Sequence, residues 1–492
     1  MKKLIIVSIT MVFFFGSCND MTELNVNPNG IPEAHPQLLL TTIEWDAFNG
    51  EGNGQMYASR MVVQTDGESE GQYYIWQRAG FGYYNDLRIV TKMIEEAEKV
   101  ESDAYLALGK FFRAYYFYLL TLTFGDVPYS EALKGESDGI YEPKYDAQKD
   151  VFTGILNELK EANDLLTGNT ETIFGDIIYG GDPAQWRKLV NSFRLKVMMM
   201  LSKKAGEMGS MTSDFAAIVS GQPLMESNAD NGQLVYLDLY GSQYFEFNDS
   251  GYGSGLYMDS TFIEKLRMRN DPRLFAYAGQ TKNAKEAGLA IDDFDAYDGG
   301  NPVVHYDIGN SKAIAGDMSK VHLRYTTDPT CEPHVVMGYS ELQLILAEAN
   351  VRGWITSGSA KNYYDEGIRA SFDFYNTWGK DLSDFYTPAA ADAYLQEALV
   401  DYNGAASTEE QIELIITQMY LQSFLQNGWA MYFNKLRTGY PDFMLRSTSE
   451  TPPLRWMYPN AETNQNGDNL QQALNSQYGG NDGIRETPWW LK

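Results

Sequence analysis

Residues 339–374, YSELQLILAEANVRGWITSGSAKNYYDEGIRASFDF, constrain the fold more than any other stretch of the chain. Leu342, Ile345, Leu346 and Ala349 recur three and four apart, and after a break Tyr364, Ile368, Ser371 and Phe372 do the same. Each half therefore presents one apolar helical face. Gly353 and the run Thr356-Ser357-Gly358-Ser359 separate the halves by too few residues for anything but a tight antiparallel hairpin. Small residues at Ala347, Ala349 and Gly367 let the two helices approach closely. One such hairpin cannot bury both of its apolar faces, so further helices must stack on it, as in tetratricopeptide-like arrays.

The rest of the chain supplies them. Helical spacing begins at Leu38 and runs to Phe48. Tyr83–Lys99 carries Leu87, Val90, Ile94 and Ala97, and 104–124 carries Leu108, Phe111, Tyr115, Tyr118 and Leu122, with Ser102 or Asp103 as the N-cap between them. A further pair covers 146–166 and 183–202, where Asp182 caps and Pro183 occupies the first turn. Lys188, Arg194 and Lys196 on the second of these helices are assigned to a solvated face. Helical patterning returns at 389–400 and 408–433. The predicted fold is mostly α: about four tetratricopeptide-like hairpins over 37–220 and 339–438, with a loop-rich insertion at 221–338 and a Pro-, Asn- and Gly-rich tail at 439–492, together one domain over 37–492. The insertion holds one helix, Ser260 to Arg269. Trp489-Trp490 in the tail imply that it is docked.

Residues 1–18 read Lys2-Lys3, an apolar run from Leu4 to Phe15, then Gly16-Ser17-Cys18. This is a secretory signal too short to remain as a membrane span. Its end resembles a bacterial lipobox, which implies cleavage before Cys18, lipidation of the thiol and a membrane anchor. Residues 19–36, with Pro28, Pro32 and Pro36, read as an extended tether. The second cysteine, Cys331, then has no partner for an intrachain disulfide.

A formal charge of −28, without a cluster of Lys and Arg, excludes nucleic acid as a partner. No Gly-x-Ser-x-Gly elbow, P-loop or HExxH occurs. Cys331 with His334 is one pair short of a zinc site. Asp293, Asp295 and Asp298 with Gly299 offer a structural calcium loop, but Val304 stands where the closing Glu of an EF-hand would be. No other cofactor is implied. A glycoside hydrolase would need two facing carboxylates, and 66 acidic residues supply such pairs by chance without picking one out. The aromatic content is more pointed, with 34 Tyr, 24 Phe and 9 Trp. Tyr73, Tyr74 and Trp76 lie in the glycine-bounded segment Gly67–Phe81, and Tyr240, Tyr244, Tyr252 and Tyr257 lie in the irregular region. Neither stretch has a helical face for these rings to fill, so they are read as exposed ligand-binding surface. Rings beside Asp, Asn and Gln suit sugars, whose apolar faces stack while their hydroxyls are hydrogen-bonded.

Several stretches together resemble the SusD/RagB-like nutrient-binding outer-membrane lipoproteins. They are the lipobox at Cys18, Asn25-Val-Asn-Pro-Asn29, Phe124-Gly-Asp-Val-Pro-Tyr129 with Glu131-Ala-Leu133, and Pro143-Lys-Tyr145-Asp-Ala-Gln148 before Val151-Phe152. Trp186-Arg-Lys-Leu-Val-Asn191, Asn270-Asp-Pro-Arg273, Ser340-Glu341 with Ala347-Glu-Ala349, Asn434-Lys-Leu-Arg437-Thr-Gly-Tyr-Pro441 and Arg455-Trp-Met-Tyr458-Pro459 continue the series in family order. The resemblance implies capture of a glycan, or in some relatives a peptide, at the cell surface without catalysis. It implies a partner, a SusC-like TonB-dependent transporter for which the lipoprotein acts as a lid. Arg437-Thr-Gly439 reads as structural, and no ligand-binding residue carries over by motif. A surface glycoside hydrolase and a protein-binding helical scaffold are the alternative readings.

Overall fold

The computed structural model describes residues 35–492 except Glu51 and Ser254. The expected anchor at Cys18 and, but for residues 35 and 36, the expected tether over 19–36 lie outside the described residues.

The hairpins form where the sequence places them. Tyr83–Lys99 packs on Asp103–Phe124, which packs in turn on Gln148–Leu166, and that on Pro183–Met200. Tyr339–Val351 continues the stack, pairing with Ala360–Trp378 and with Thr408–Leu421, which carries Ala430–Thr438. Local chemistry sets the ends. Ser102 Oγ accepts from the Tyr105 amide, Asp182 from Ala184 with Pro183 in the first turn, and Ser359 from Asn362, each satisfying an amide that the helix itself leaves free. Gly367 is the close-approach residue of the central hairpin, since a Cβ there would lie 2.8 Å from Leu344. The tail is docked as expected: Trp490 is buried, and the Trp489 indole donates to Glu207 at 3.0 Å.

Four segments depart from the sequence reading, one being the 221–338 insertion, which holds the helix Tyr306–Ala315 and several shorter ones besides the expected helix, here Ser260–Arg267. Lys196 and Arg194 are buried, not on a solvated face, because Pro183–Met200 is an interior helix covered by Gln148–Leu166, Met211–Gly221 and Tyr339–Val351. Lys196 Nζ is held by Glu341, by the Val336 carbonyl at 3.1 Å and by Asn427 Oδ1 at 2.7 Å. The expected helix over 408–433 stops at Leu421 and resumes at Ala430. Between them Leu425, Asn427 and Gly428 adopt positive φ, and this loop is what carries Asn427 to Lys196. The helix expected over 389–400 is confined to Pro388–Tyr394.

The family-like motifs turn out to be buried polar clamps. Arg437 grips Glu348 through Nη1–Oε1 (2.5 Å) and Nη2–Oε2 (2.8 Å), joining Ala430–Thr438 to Tyr339–Val351. Burial works against the Glu348 anion, yet Arg437 and Arg352 outweigh it and hold the carboxyl below its usual range. Asp271 and Arg273 form a second pair at 2.6 Å, both wholly buried.

The loop-rich half contains two short antiparallel ribbons, Val62–Gln64 with Leu256–Met258 and Gly232–Leu234 with His334–Met337. No helix of the described residues is long and apolar enough to cross a membrane.

Candidate functional site

The first ribbon is the seam where the N-terminal segment meets the irregular region. Gln64 pairs with Leu256, Val63 with Tyr257 and Val62 with Met258. Past its end, the Thr65 amide and hydroxyl both donate to the Gly255 carbonyl, at 2.9 and 3.2 Å. Asp66 lies against Gly255, where a Cβ would fall 2.1 Å from Asp66 Oδ1, so a larger residue there would turn this exposed carboxylate aside. On the other side Tyr257 bridges to Lys320, whose ammonium stands 5.5 Å from the Tyr257 ring centroid. The Gln64 side chain links the Tyr57 hydroxyl to the Asp66 carboxylate.

Two groups thus gather about one short ribbon, the Tyr257 ring with the Lys320 ammonium and the Gln64 amide with the exposed Asp66 carboxylate; burial raises the Tyr257 hydroxyl, and Asp66 is near enough to add to it. Such a row can stack one sugar face and hydrogen-bond its hydroxyls as both donor and acceptor. Nothing in it is arranged as a nucleophile with its base.

Beneath the row lies Glu246, buried beside Tyr57 and Tyr252. Burial raises its carboxyl from the ordinary 4.5 to about 7, the nearby Asp249 adding to the effect while the Tyr252 hydroxyl opposes it. A raised carboxylate pKa means that the folded state holds the proton after the unfolded chain has released it. Glu246 therefore costs no stability below about pH 4.5 and a growing amount as pH rises towards 7. The full penalty is on the order of 3 kcal/mol. Glu246→Gln is expected to be more stable than the parent at pH 8, with the difference vanishing by pH 4; a difference independent of pH in urea titrations would refute the burial of an ionisable acid here.

The rings chosen from sequence divide. Tyr257 is half exposed in the row itself, and Tyr240 is fully exposed at the tip of a loop closed by the Leu237 amide donating to Ser242 O at 2.8 Å. The other five are buried, contrary to expectation. Tyr74 and Trp76 enter an aromatic cluster with Trp429, Tyr432 and Trp456, Trp76 stacking on Trp456 at 5.0 Å. Tyr73 lies under the irregular half, its hydroxyl donating to Val304 O at 3.1 Å. Tyr244 packs against Tyr236, Phe245 and Tyr325, and Tyr252 against Glu246. Rings without a helical face of their own still gain more from being covered by distant segments than from facing water. Tyr240 and Tyr257 make no ring contact with one another. Gln64, Asp66 and Lys320 were missed, since single polar residues in loops carry no periodic signal; Gly255 was the available hint.

The other candidate groups are engaged elsewhere. Asp293 caps the turn at Asp295, Asp295 pairs with Arg267 at 2.5 Å, and Asp298 with Lys312 at 2.6 Å, so the three carboxylates do not converge on one ion. Among the described residues no cluster of three or more His, Cys, Asp or Glu could hold a metal. Cys331 is a buried free thiol raised by burial, and His334 meets the Phe48 carbonyl through Nδ1 at 2.8 Å.

A family described as starch-binding and associating with the outer membrane, SusD-like, matches residues 28–459. A search of curated protein sequences returns no match. Among solved structures, a SusD homologue from Bacteroides fragilis NCTC 9343 is 52% identical, covering 94% of this chain and all of that one with a TM-score of 0.88. An outer-membrane protein of Bacteroides vulgatus ATCC 8482, described as involved in nutrient binding, is 50% identical over 93% of this chain and all of its own, with a TM-score of 0.90. A further SusD homologue from Bacteroides fragilis is 34% identical over 93% of this chain and all of its own, at 0.87. With sequence and fold shared over nearly the whole length, the chain belongs to the SusD-like family of nutrient-binding proteins associated with the outer membrane.

Proposed function

We propose that the protein captures a nutrient glycan at the cell surface, tethered through a lipidated Cys18, and hands it as a lid to a SusC-like TonB-dependent transporter. The observation that carries the reading is the group Gln64, Asp66, Tyr257 and Lys320, a mixture of ring and hydrogen-bonding groups gathered about a short ribbon on the helical scaffold. Such a site binds without turnover. The helical stack holds the row in place. Ligand favours the closed lid only by the contacts that it makes there and not in the open state.

Protein beginning after Cys18 is titrated calorimetrically with a panel of neutral oligosaccharides and short peptides. Saturable binding of an oligosaccharide, weakened about tenfold or more by Tyr257→Ala, is expected, since stacked rings near the centre of a site carry much of the affinity. Binding of peptides alone would replace the glycan by a peptide in the same role, and release of shortened sugars would overturn the absence of catalysis.

A further inference from the structure

A second cavity lies where the irregular region meets the helical scaffold, and it shares no residue with the group about Tyr257. Asn270, at a φ of +48°, turns the chain at the end of Ser260–Arg267, and Pro272 opens the short helix Arg273–Tyr277. The buried Asp271 accepts from the Tyr394 hydroxyl at 2.9 Å, and the Pro272 carbonyl accepts from the Tyr386 hydroxyl at 3.2 Å, so this turn is fixed against Lys380–Tyr386 and Pro388–Tyr394. The space left between these walls is about 260 Å³, just below the range of drug-sized ligand sites and roomy enough for one sugar ring.

Rings make the floor. Phe275 stands 5.0 Å from Phe294 and 5.1 Å from Phe385, centroid to centroid, with the planes inclined at 44° and 68°. Phe275 itself is 2% exposed, so the half-buried Phe294 and Phe385 offer the ring surface that a ligand can reach. Ala390 and Ala393 keep the helical wall low.

The rim is made of acceptors. Asp292 and Glu397 both line the cavity, and no Lys or Arg does. Glu397 Oε2 accepts from Asn270 Nδ2 at 3.0 Å, an amide partner that leaves the carboxylate's charge uncompensated. Asp292 enters no ion pair among the described residues, whereas its neighbour Asp295 pairs with Arg267 at 2.5 Å, and Asp392, beside Ala393, pairs with Arg369 at 3.0 Å. Tyr394 spends its hydroxyl on Asp271, so Asn270 is the one lining side chain left with a hydrogen to donate. Two carboxylates over ring faces attract a cation twice, through its charge and through the negative face of each ring. A neutral sugar would find acceptors for its hydroxyls but little to donate to them in return.

We infer that this cavity binds an amino sugar, its pyranose face against Phe294 and Phe385, its ammonium taken by the carboxylates of Asp292 and Glu397, and a hydroxyl by Asn270. The site is separate from the group proposed to capture the nutrient glycan and does not depend on that reading.

The test uses protein beginning after Cys18, titrated calorimetrically with d-glucosamine. Glucose and N-acetylglucosamine serve as neutral controls, and Nα-acetyl-lysine amide as an ammonium without a sugar ring. Glucosamine is expected to saturate one site, with the neutral sugars about tenfold weaker or more. Asp292→Asn combined with Glu397→Gln removes both charges at the rim with little change of shape and should weaken glucosamine about tenfold or more. Ala393→Trp, placed on an exposed position of the helical wall, fills the mouth without touching either carboxylate and should abolish the binding. Both variants should leave neutral oligosaccharides bound at Tyr257 unaffected. Absence of saturable glucosamine binding, or binding that persists in both cavity variants, would overturn the site. Binding lost in Tyr257→Ala but kept in the cavity variants would assign the amine to Asp66 and Tyr257 and overturn it as well. N-acetylglucosamine matching glucosamine would overturn recognition of the charge, and the lysine amide matching it would overturn the sugar assignment.

Discussion

Replacing Asp271 by Ala is expected to destabilise the protein by about 3–5 kcal/mol, a large fraction of what holds a domain folded. Asp271 Oδ1 accepts from the Arg273 amide at 3.0 Å and from Nε at 2.9 Å, while Oδ2 accepts from Nη2 at 2.6 Å and from the Tyr394 hydroxyl at 2.9 Å. Arg273 continues to Ser371 at 3.1 Å and Gln418 at 2.8 Å. Four separate segments therefore meet at one charge pair from which solvent is absent. Removing the carboxylate leaves a guanidinium that cannot shed its proton, together with a tyrosine hydroxyl that has lost an acceptor. Asp271→Asn keeps the shape and some of the hydrogen bonds, so its loss should be smaller. The pair Asp271→Leu with Arg273→Met should recover much of the single-mutant loss, because no isolated charge remains. Urea unfolding of the three variants measures this. A double variant less stable than Asp271→Ala would mean that the pair contributes net attraction beyond mutual neutralisation.

Such clamps explain which parts of the molecule were legible in the sequence. Hairpin positions followed from spacing alone, because an amphipathic helix announces its buried face every three to four residues, and Ser102, Asp182 and Ser359 cap where side-chain chemistry requires it. The same rule misread Arg194 and Lys196. Polar residues were assigned to water, yet an interior helix has no water-facing side, and its cations must be satisfied by residues far along the chain, such as Glu341 and Asn427 for Lys196. The break at 422–429 was legible but overlooked: Asn427-Gly428 is a turn-forming dipeptide whose residues both take positive φ, and Asn427 is further held by Lys196 on another helix. Of the functional row, Tyr257 was within reach because aromatic residues in irregular chain are conspicuous. Asp66 and Lys320 were not, since Asp66 lies just past a three-residue ribbon and Lys320 meets Tyr257 through a separate bridge, neither of which leaves a local pattern. Burial of Trp76 depends in part on Trp456 of the tail, whose path no local pattern reveals, while Tyr244 and Tyr252 are covered within the irregular region.

Trp76 separates these two kinds of aromatic residue most sharply. Trp76→Ala is expected to cost about 3–5 kcal/mol, the range for a large ring removed from a packed interior. The indole is 4% exposed, stacks on Trp456 with an interplanar angle of 20°, and meets Trp429 and Tyr432 edge-on at 5.6 and 5.5 Å. Its Nε1 donates to Arg455 O at 3.4 Å, and the neighbouring backbone completes the attachment, with the Met457 amide donating to Gln77 O at 2.8 Å. Deleting the ring thus leaves a cavity and also loosens the segment around 455–457 that closes over it. Faster limited proteolysis within 439–460 should accompany the loss of stability. Trp76→Phe keeps an aromatic partner for Trp456 and should lose roughly half as much. Ligand affinity is the discriminating readout. A ring with no accessible face cannot stack on a sugar, so folded Trp76→Ala should bind within about twofold of the parent, whereas Tyr257→Ala, on a half-exposed ring, should keep its stability within about 1 kcal/mol and lose affinity tenfold. Loss of ligand in a fully folded Trp76→Ala protein would show that the tail opens to expose this cluster when ligand binds, and the binding surface would then have to be redrawn around Trp76, Trp429 and Trp456.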